Sequence, residues 1–388
     1  MRKPELPPLT GIRFYAAFLV FLSHVPVIPG MDQLAGRHLL FNAGVVGVSF
    51  FFVLSGFILT YNYADVFSVS LAWREYWKFL WDRLTKIYPV HCAITLVMIP
   101  LQFQSPNLPL DWRAAPVHLL LAQCFWPSPK PPFYSYLNVP SWSISCEWFF
   151  YLCAPFVVYL LAGRYLRVAL IVLMAVYACA LGWLIGGDSE ASKLFYVSWF
   201  APSRLPEFVI GVVLARLYLS ARLRTGNRLA ATLQLAGLAL ILAGALYREQ
   251  APWPLWGGLL YVPGSAALIY GLAQNRGALA SHMGRRSIQA LGAASFSFYL
   301  LHAPILRGLR MAWLSFGWSV GSWSGFFVTA IAIFVLVQAL AMAVFYFYEI
   351  PLQRALRTLV SARPKVPAER ATSEDNRPLR ARAAGSSS

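Results

Sequence analysis

The chain has 388 residues, of which 59% are hydrophobic and 12% charged, and its mean hydropathy is +0.58. Soluble domains carry about twice that charged fraction, so the composition excludes a water-soluble globular protein and a disordered chain. Many continuous apolar segments reach the roughly 20 residues that a helix needs to cross a bilayer, whereas a membrane barrel needs short alternating strands. The sequence therefore predicts an all-α fold, a polytopic membrane bundle of about ten transmembrane helices.

Ten apolar segments are predicted to cross the membrane. In chain order they cover 11–30, 43–63, 87–104, 142–162, 167–186, 205–220, 229–247, 254–273, 287–306 and 324–348. A re-entrant or amphipathic helix is expected within 105–125. The first span is interpreted as a signal anchor, because the segment lacks a small-x-small cleavage site. Residues 1–360 are assigned to the membrane domain, and the polar, basic segment 361–388 to a disordered cytoplasmic tail.

The net charge is +17, from 32 Lys and Arg against 15 Asp and Glu, and its distribution predicts the topology. With the N-terminus inside, the inner segments hold 23 basic residues and the outer segments 8, and Arg13 lies in the first span. Basic residues accumulate in cytoplasmic segments, so both termini are expected in the cytoplasm. The positive charge is thus explained by topology, and no nucleic-acid partner is expected.

The five cysteines form no C-x-x-C pair, and most lie in apolar segments. We interpret them as small buried hydrophobic residues, and we expect no bound metal.

The first span carries two ionisable residues, Arg13 and His24, eleven positions apart. At 100° per residue this spacing is about 20° beyond three full turns, so both side chains share one helix face, about 16 Å apart along the axis. An ionisable residue in hydrocarbon is a candidate functional site by default. The simpler alternative is that Arg13 extends to the headgroups and His24 is a satisfied core histidine.

The second span contains the small residues Gly44, Gly47, Ser55 and Gly56 within GVVGVSFFFVLSGF. Small residues favour close helix packing in membranes, which is the simplest interpretation of this segment. Ser55 has no neighbouring base in the sequence, so the pattern supports a nucleophilic serine only weakly.

Three further spans begin or end with ionisable residues. Glu147 falls in the second turn of the fourth span, and Arg204 and Glu207 open the sixth, where they either pair with each other or face a ligand. In the ninth span, Tyr299 and His302 share one face with Ser295.

The predicted topology brings these residues together at two depths. The outer half receives His24, Glu147, Arg204, Glu207 and His302, and the inner half receives Arg13, Arg83 and Lys86. A buried histidine near carboxylates suits general-base chemistry, and a cationic inner mouth suits a phosphate-bearing cytosolic ligand. We therefore expect a polar tunnel from the cations to His24. A proton-coupled transporter would carry similar residues, so the pattern alone does not choose between enzyme and transporter.

Seven sequence blocks resemble acyltransferase family 3, a family of integral-membrane O-acyltransferases. The first span has the family's Arg-x10-His signature, and the other blocks follow in family order over about 350 residues. These blocks read RFYAAFLVFLSH, GVVGVSFFFVLSGF, DRLTKIYP, SWSISCEWFFY, RLPEFVIGVVLA, SFSFYLLHAPI and YEIP, with Lys86 in the second basic position of the third. Any single block is a weak signal, whereas the ordered set is highly specific.

The resemblance implies an enzyme that moves an acyl group, acetyl first, from cytosolic acyl-CoA to a hydroxyl of an extracytoplasmic saccharide. O-antigen or exopolysaccharide would be typical acceptors, while other members modify macrolides. The donor is a substrate, and no tightly bound cofactor is expected. Some members carry an additional esterase-like domain; none is expected here, so transfer should be direct or pass through the membrane core. The implied location is a bacterial inner membrane.

The resemblance also implies roles for individual residues. Arg13 and His24 would be the key catalytic pair, with His24 as the general base or the carrier of a covalent acyl group. Glu147 would orient His24 or contact sugar hydroxyls. The donor would be held by Arg13, Ser55, Arg83 and Lys86, and the acceptor by Trp142, Arg204, Glu207 and His302. Two other function classes remain open at this point: a transporter or flippase for a lipid-linked sugar, and a sensor or scaffold whose buried charges are structural.

Overall fold

The computed structural model describes residues 3–32, 44–103, 112–125, 137–163, 166–186, 190–220, 226–248, 250 and 258–361. These residues form helices, turns and loops with no strand among them, so the predicted all-α class is confirmed. The α-helices are α1 (Pro7–His24), α2 (Gly44–Phe67), α3 (Trp73–Phe103), α4 (Ala114–Leu119), α5 (Trp142–Leu160), α6 (Leu166–Gly186), α7 (Glu190–Ser198), α8 (Leu205–Leu219), α9 (Asn227–Tyr247), α10 (Val262–Ala273), α11 (Ala278–Met283), α12 (Arg286–Ala293), α13 (Ser295–Ser315), α14 (Trp323–Val344) and α15 (Ile350–Ser361). A π-helical turn, Phe345–Glu349, joins α14 to α15.

The predicted count of ten spans is not confirmed. Six helical segments in the described part of the chain are long and apolar enough to cross a membrane, or seven if α12 and α13, bent by 57°, form one span. Helix α8 has 15 residues and α10 has 12. They therefore extend about 22 Å and about 18 Å, short of the roughly 30 Å hydrocarbon core. The helices found within the segments predicted at 205–220 and 254–273 are thus too short to span alone, and residues 254–257 lie outside the described residues.

Helix α3 corrects the predicted boundary between a loop and a span. The segment 64–86 was expected as an inner loop, but α3 starts at Trp73 and continues for 31 residues to Phe103. Arg83 and Lys86 therefore lie on a continuous helix. Their charges interrupt the apolar pattern without interrupting the backbone hydrogen bonding.

The short helix α4 lies within 105–125, where an additional helix was expected. The predicted tail, apart from Ser361, falls outside the described residues.

Helix α1 lies inside the bundle, in contact with α2, α12 and α13. Close approach depends on glycine: a Cβ at Gly47 would overlap the carbonyl of Ala16 on α1. Helices α2 and α8 approach each other in the same way. A Cβ at Gly56 would overlap the carbonyl oxygen of Phe208, and one at Gly211 would overlap that of Val53. Helix packing is therefore confirmed for the glycines of the second span, whereas Ser55 lines a cavity.

The outward faces of the bundle are apolar. Helices α6, α9 and α14 expose large aliphatic and aromatic side chains along their length, including Trp183, Leu235 and Val328. Exposed apolar surface of this extent marks a region that contacts another apolar phase, which for helices of this length is lipid. The described chain thus has the features of a multi-pass membrane protein.

The packing at Gly56 generates a stability prediction. Gly56→Ala should lower the free energy of unfolding by about 1–3 kcal/mol, because the added methyl group meets backbone that cannot rotate away. Gly182→Ala on α6 is the matched control, since nothing lies within 4 Å of its Cβ position. The measurement is the thermal unfolding midpoint of each variant in detergent. Equal midpoints for the two variants would contradict the packing described for α2 and α8.

Candidate functional site

A cavity of about 120 Å³ lies among α1, α2, α3, α5 and α13. Its apolar wall comes mainly from α2. Its polar lining consists of Arg13, Ser55, Arg83, Lys86, Ser143, Glu147, Tyr151, Ser295 and Tyr299. The structure thus brings the four residues predicted to bind the donor into one cavity, although they come from three different helices.

Three cations face this cavity. Arg83 and Lys86 are three positions apart on α3, a spacing that places both on one helix face. Arg13 reaches the cavity from α1. The guanidinium of Arg83 lies 5.6 Å from the ring centroid of Tyr63, and its Nη2 donates to the Tyr63 hydroxyl at 3.3 Å. Its Nε is buried without a hydrogen-bond partner among the described residues.

The positive charge in the cavity is only partly balanced. Within the described chain, no carboxylate lies within ion-pair distance of Arg13, Arg83 or Lys86. Glu147 interacts with these cations at longer range, and its Oε2 accepts a hydrogen bond of 2.9 Å from the Tyr151 hydroxyl. Partly balanced cations in an apolar bundle raise the free energy of the folded protein unless an anion binds beside them. The cavity is therefore suited to an anionic ligand.

The position of Glu147 corrects a prediction. It was expected beside His24, in the outer half of the site, but it lines the cavity with the cations. Glu147 lies five positions after Trp142, where α5 begins. This offset is about 8 Å along the helix axis. It brings Glu147 level with Arg13 and Ser55. Apolar periodicity does not determine how far one helix is shifted along its axis relative to its neighbour. The sequence therefore did not predict that Glu147 lies with the cations.

His24 and His302 meet at the C-terminal end of α1. His24 Nδ1 lies 3.4 Å from His302 Nε2 and 2.8 Å from the carbonyl oxygen of Val20. A carbonyl only accepts hydrogen bonds, so we assign the proton of neutral His24 to Nδ1. His24 Nε2 then carries the free lone pair. The predicted proximity of the first and ninth spans is confirmed, whereas His302 is completely buried and presents no surface to a ligand.

Tyr299 separates the cavity from the histidine pair. Its hydroxyl shares a hydrogen bond of 2.7 Å with Ser143 Oγ and donates to the Pro140 carbonyl at 3.1 Å. One side of the ring lines the cavity, and its centroid is 5.9 Å from that of His302. Neither His24 nor His302 is among the described residues that line the cavity, so the cavity does not extend to the histidine pair as the expected tunnel would.

Arg204 and Glu207 form a buried ion pair. Arg204 Nε lies 2.9 Å from Glu207 Oε2, and the two side chains are 2% and 1% exposed. Ser49 Oγ donates to Glu207 Oε1 at 2.7 Å, and the guanidinium lies 5.3 Å from the Phe52 ring and 5.7 Å from the Trp142 ring. Mutual pairing, one of the two interpretations of these residues, is confirmed. In this closed arrangement neither charge is accessible, so contact with an acceptor is not what they provide here.

Several cavity residues were missed in the sequence. Ser143 and Tyr151 lie one turn on either side of Glu147, at i−4 and i+4, so the helical period was a signal that pointed to them. Glu349 is also nearly buried, accepts a 2.6 Å hydrogen bond from Ser297 Oγ, and interacts electrostatically with Lys86. It follows an apolar span within a π-helical turn, and no sequence periodicity indicated its contact with α13.

The model of acyltransferase family 3, described as an acyltransferase domain, matches residues 8–342. The chain belongs to this acyltransferase family. Acyltransferase MdmB of Streptomyces mycarofaciens is 32% identical over 369 residues, which cover 87% of this chain and 89% of that protein. The protein is therefore an acyltransferase that transfers groups other than amino-acyl groups.

Two further relatives of the acyltransferase are longer than this chain. YrhL of Bacillus subtilis, named as a candidate peptidoglycan O-acetyltransferase, is 25% identical over 320 residues, 73% of this chain and 49% of that protein. The O-acetyltransferase OatA of Staphylococcus aureus is 24% identical over 322 residues, 78% of this chain and 50% of that protein. The chain spans about half the length of these two relatives. No solved structure matches the chain significantly.

The ion pair of the acyltransferase generates a prediction that separates a structural role from ligand binding. Glu207→Gln should destabilise the protein by about 3–5 kcal/mol, because it leaves a buried guanidinium without its counter-charge. Replacing both residues, Arg204→Met with Glu207→Leu, should restore part of this loss. Asp65→Asn is the control, since it breaks the ion pair with Lys3, in which the Asp65 side chain is 76% exposed. Loss of such a surface pair should cost less than about 1 kcal/mol.

Thermal unfolding in detergent measures all four proteins. If Glu207→Gln is as stable as the parent protein, the structural role of the ion pair is contradicted. A ligand-binding role for Arg204 and Glu207 would then be favoured.

Proposed function

We propose that the protein takes an acyl group, acetyl first, from cytosolic acyl-CoA and transfers it to a hydroxyl of an extracytoplasmic saccharide such as O-antigen or exopolysaccharide. The proposal rests on a cluster of three cations in one cavity, none of them within ion-pair distance of a described carboxylate. Tyr299 lines this cavity and packs beside His302, and the neighbouring His24 has a free Nε2. Membership of the acyltransferase family favours this activity over transport or a scaffold. The proposed location is a bacterial inner membrane, with both termini in the cytoplasm.

The cations are suited to the donor because coenzyme A carries phosphate groups, which arginine and lysine bind through charge-assisted hydrogen bonds. The cavity is smaller than the several hundred cubic ångströms typical of sites that enclose a whole small molecule. We therefore assign it to the narrow thioester arm, with the phosphates at its cationic end and the acyl group toward Tyr299. Glu147 and Ser55 would contact the polar amides of the arm.

His24 is proposed to activate the acceptor. Its Nε2 takes the proton of the attacking hydroxyl while the oxygen forms a bond to the thioester carbonyl carbon. The carbon–sulfur bond then breaks, and the protonated imidazole returns that proton to the departing thiolate. The products are an ester and coenzyme A. A covalent acyl-histidine remains an alternative, in which Nε2 itself attacks the thioester.

Tyr299 would have to move for this reaction, because it lines the cavity and packs beside His302, the neighbour of His24. A closed tyrosine in the absence of acceptor would keep water from the thioester, as expected of a site that must favour transfer over hydrolysis. The hydrogen bonds from Tyr299 to Ser143 and Pro140 are the contacts that would have to break.

The proposed function is tested by transfer of labelled acetyl groups. Inside-out membrane vesicles containing the protein are given acetyl-CoA labelled in the acetyl group, with a de-O-acetylated exopolysaccharide enclosed in the lumen. The intact protein should transfer label to the polysaccharide, and His24→Ala should reduce the rate at least about 100-fold, because general-base catalysis contributes that much. His282→Gln is the control, since this histidine bonds Tyr15 and lies on α11, away from the His24 pair.

Normal transfer by His24→Ala would overturn the assigned mechanism. Label found on the protein itself when acceptor is omitted would favour the acyl-histidine route over general-base catalysis.

A further inference from the structure

His302 was expected to contact the acceptor, but its surroundings do not allow this. Its side chain is completely buried, and its ring packs near those of Phe21, Phe298 and Tyr299. Its Nε2 lies 3.4 Å from His24 Nδ1, and its ring also interacts with the backbone of Phe298 and Tyr299 in its own helix. A buried polar group beside the candidate base, without access to a ligand, can influence the reaction only through that base.

The protons of the histidine pair follow from the hydrogen bonds. We assign the His24 Nδ1 proton to the hydrogen bond with the Val20 carbonyl, and His302 Nε2 lies 3.4 Å from the same nitrogen. If His302 Nε2 also carried a hydrogen, two N–H groups would oppose each other. His302 Nε2 is therefore the acceptor, and the His24 Nδ1–H is shared between a carbonyl oxygen and an imidazole nitrogen.

We propose that His302 is a positioning residue that fixes the tautomer and orientation of His24, so that Nε2 faces the acceptor hydroxyl. This inference rests on the proposed function. The role corresponds to that of the third group in a nucleophile–base–orienter arrangement. Here the orienting group is neutral.

A neutral orienting group is consistent with the location of the site. A carboxylate at this position would be a buried charge without a counter-ion whenever His24 is neutral, which is strongly unfavourable in an apolar bundle. An imidazole acceptor adds no net charge in the resting protein. When His24 takes the acceptor proton on Nε2, its Nδ1–H becomes a stronger donor, and His302 Nε2 then stabilises the imidazolium. The proton on Nε2 still passes to the departing thiolate, so His302 neither gains nor loses a proton.

The test compares substitutions that separate the acceptor atom from the ring volume. In His302→Gln, the side-chain oxygen can occupy the place of Nε2 and accept from His24. In His302→Phe, the ring volume remains and the acceptor is lost. Ser23→Ala is the control, because Ser23 Oγ lies 3.3 Å from His24 Nδ1 and would be the alternative orienting group.

Kinetics are measured with acetyl-CoA and the de-O-acetylated exopolysaccharide as probes. His302→Phe should lower kcat about 10–100-fold, the usual loss when an orienting partner is removed, with the KM values for both substrates little changed. His302→Gln should recover most of kcat, and Ser23→Ala should stay within about threefold of the parent protein. Unfolding midpoints and affinity for coenzyme A establish that each variant is folded; His302→Met replaces His302→Phe if the latter does not fold.

The alternatives give different results. A parent-like kcat for His302→Phe would show that His302 only fills space and would overturn the inference. An increased KM for the polysaccharide at unchanged kcat would also overturn it, and would return His302 to acceptor binding. Failure of the proposed function gives a different result: either the parent protein transfers no acetyl group, or His24→Ala is fully active. Either result would overturn this inference as well.

Discussion

The structure depends on positive charge held inside an apolar helical bundle. Arg13, Arg83 and Lys86 face one small cavity, and no carboxylate in the described chain pairs with them directly. Ions in such surroundings are expensive, and proteins normally remove that cost with a close counter-ion. The Arg204–Glu207 pair shows that this bundle can provide such a counter-ion where stability requires it. That no described carboxylate does so in the cavity is best explained by a ligand that brings negative charge.

A second constraint follows from the position of the histidine. His24 contacts Val20 and His302 at the end of α1, and His302 packs beside Tyr299, which lines the cavity of the cations. Under the proposed function, the donor would bind on the cavity side of Tyr299 and the acceptor on the side of the histidine pair. This separation fits an enzyme whose two substrates reach it from opposite faces of a membrane, and it explains how a reactive thioester would be kept from water until an acceptor arrives.

The parts of the site that could be predicted are those that depend on one helix. The eleven-residue spacing of Arg13 and His24, the shared face of Tyr299 and His302, and the possible pairing of Arg204 with Glu207 all follow from the helical repeat. The close packing of α2 was predictable from Gly47 and Gly56 for the same reason. What failed depends on relations between helices. Glu147 lies with the cations because of how far α5 is shifted along its axis relative to α1. The periodicity within one helix carries no information about that shift. Hydropathy placed the start of the third span after Lys86, although the helix already begins at Trp73 and carries Arg83 and Lys86, which face a cavity inside the bundle.

The central claim, that the cations of the cavity bind the donor, is tested most directly by calorimetric titration of the purified protein with coenzyme A, without any acceptor. Arg83→Gln should weaken binding about 10–100-fold, as expected for the loss of one charge-assisted contact to phosphate. Lys78→Gln, which removes an exposed charge from the same helix, should leave the affinity nearly unchanged. Equal affinities for Arg83→Gln and the parent protein would contradict the account.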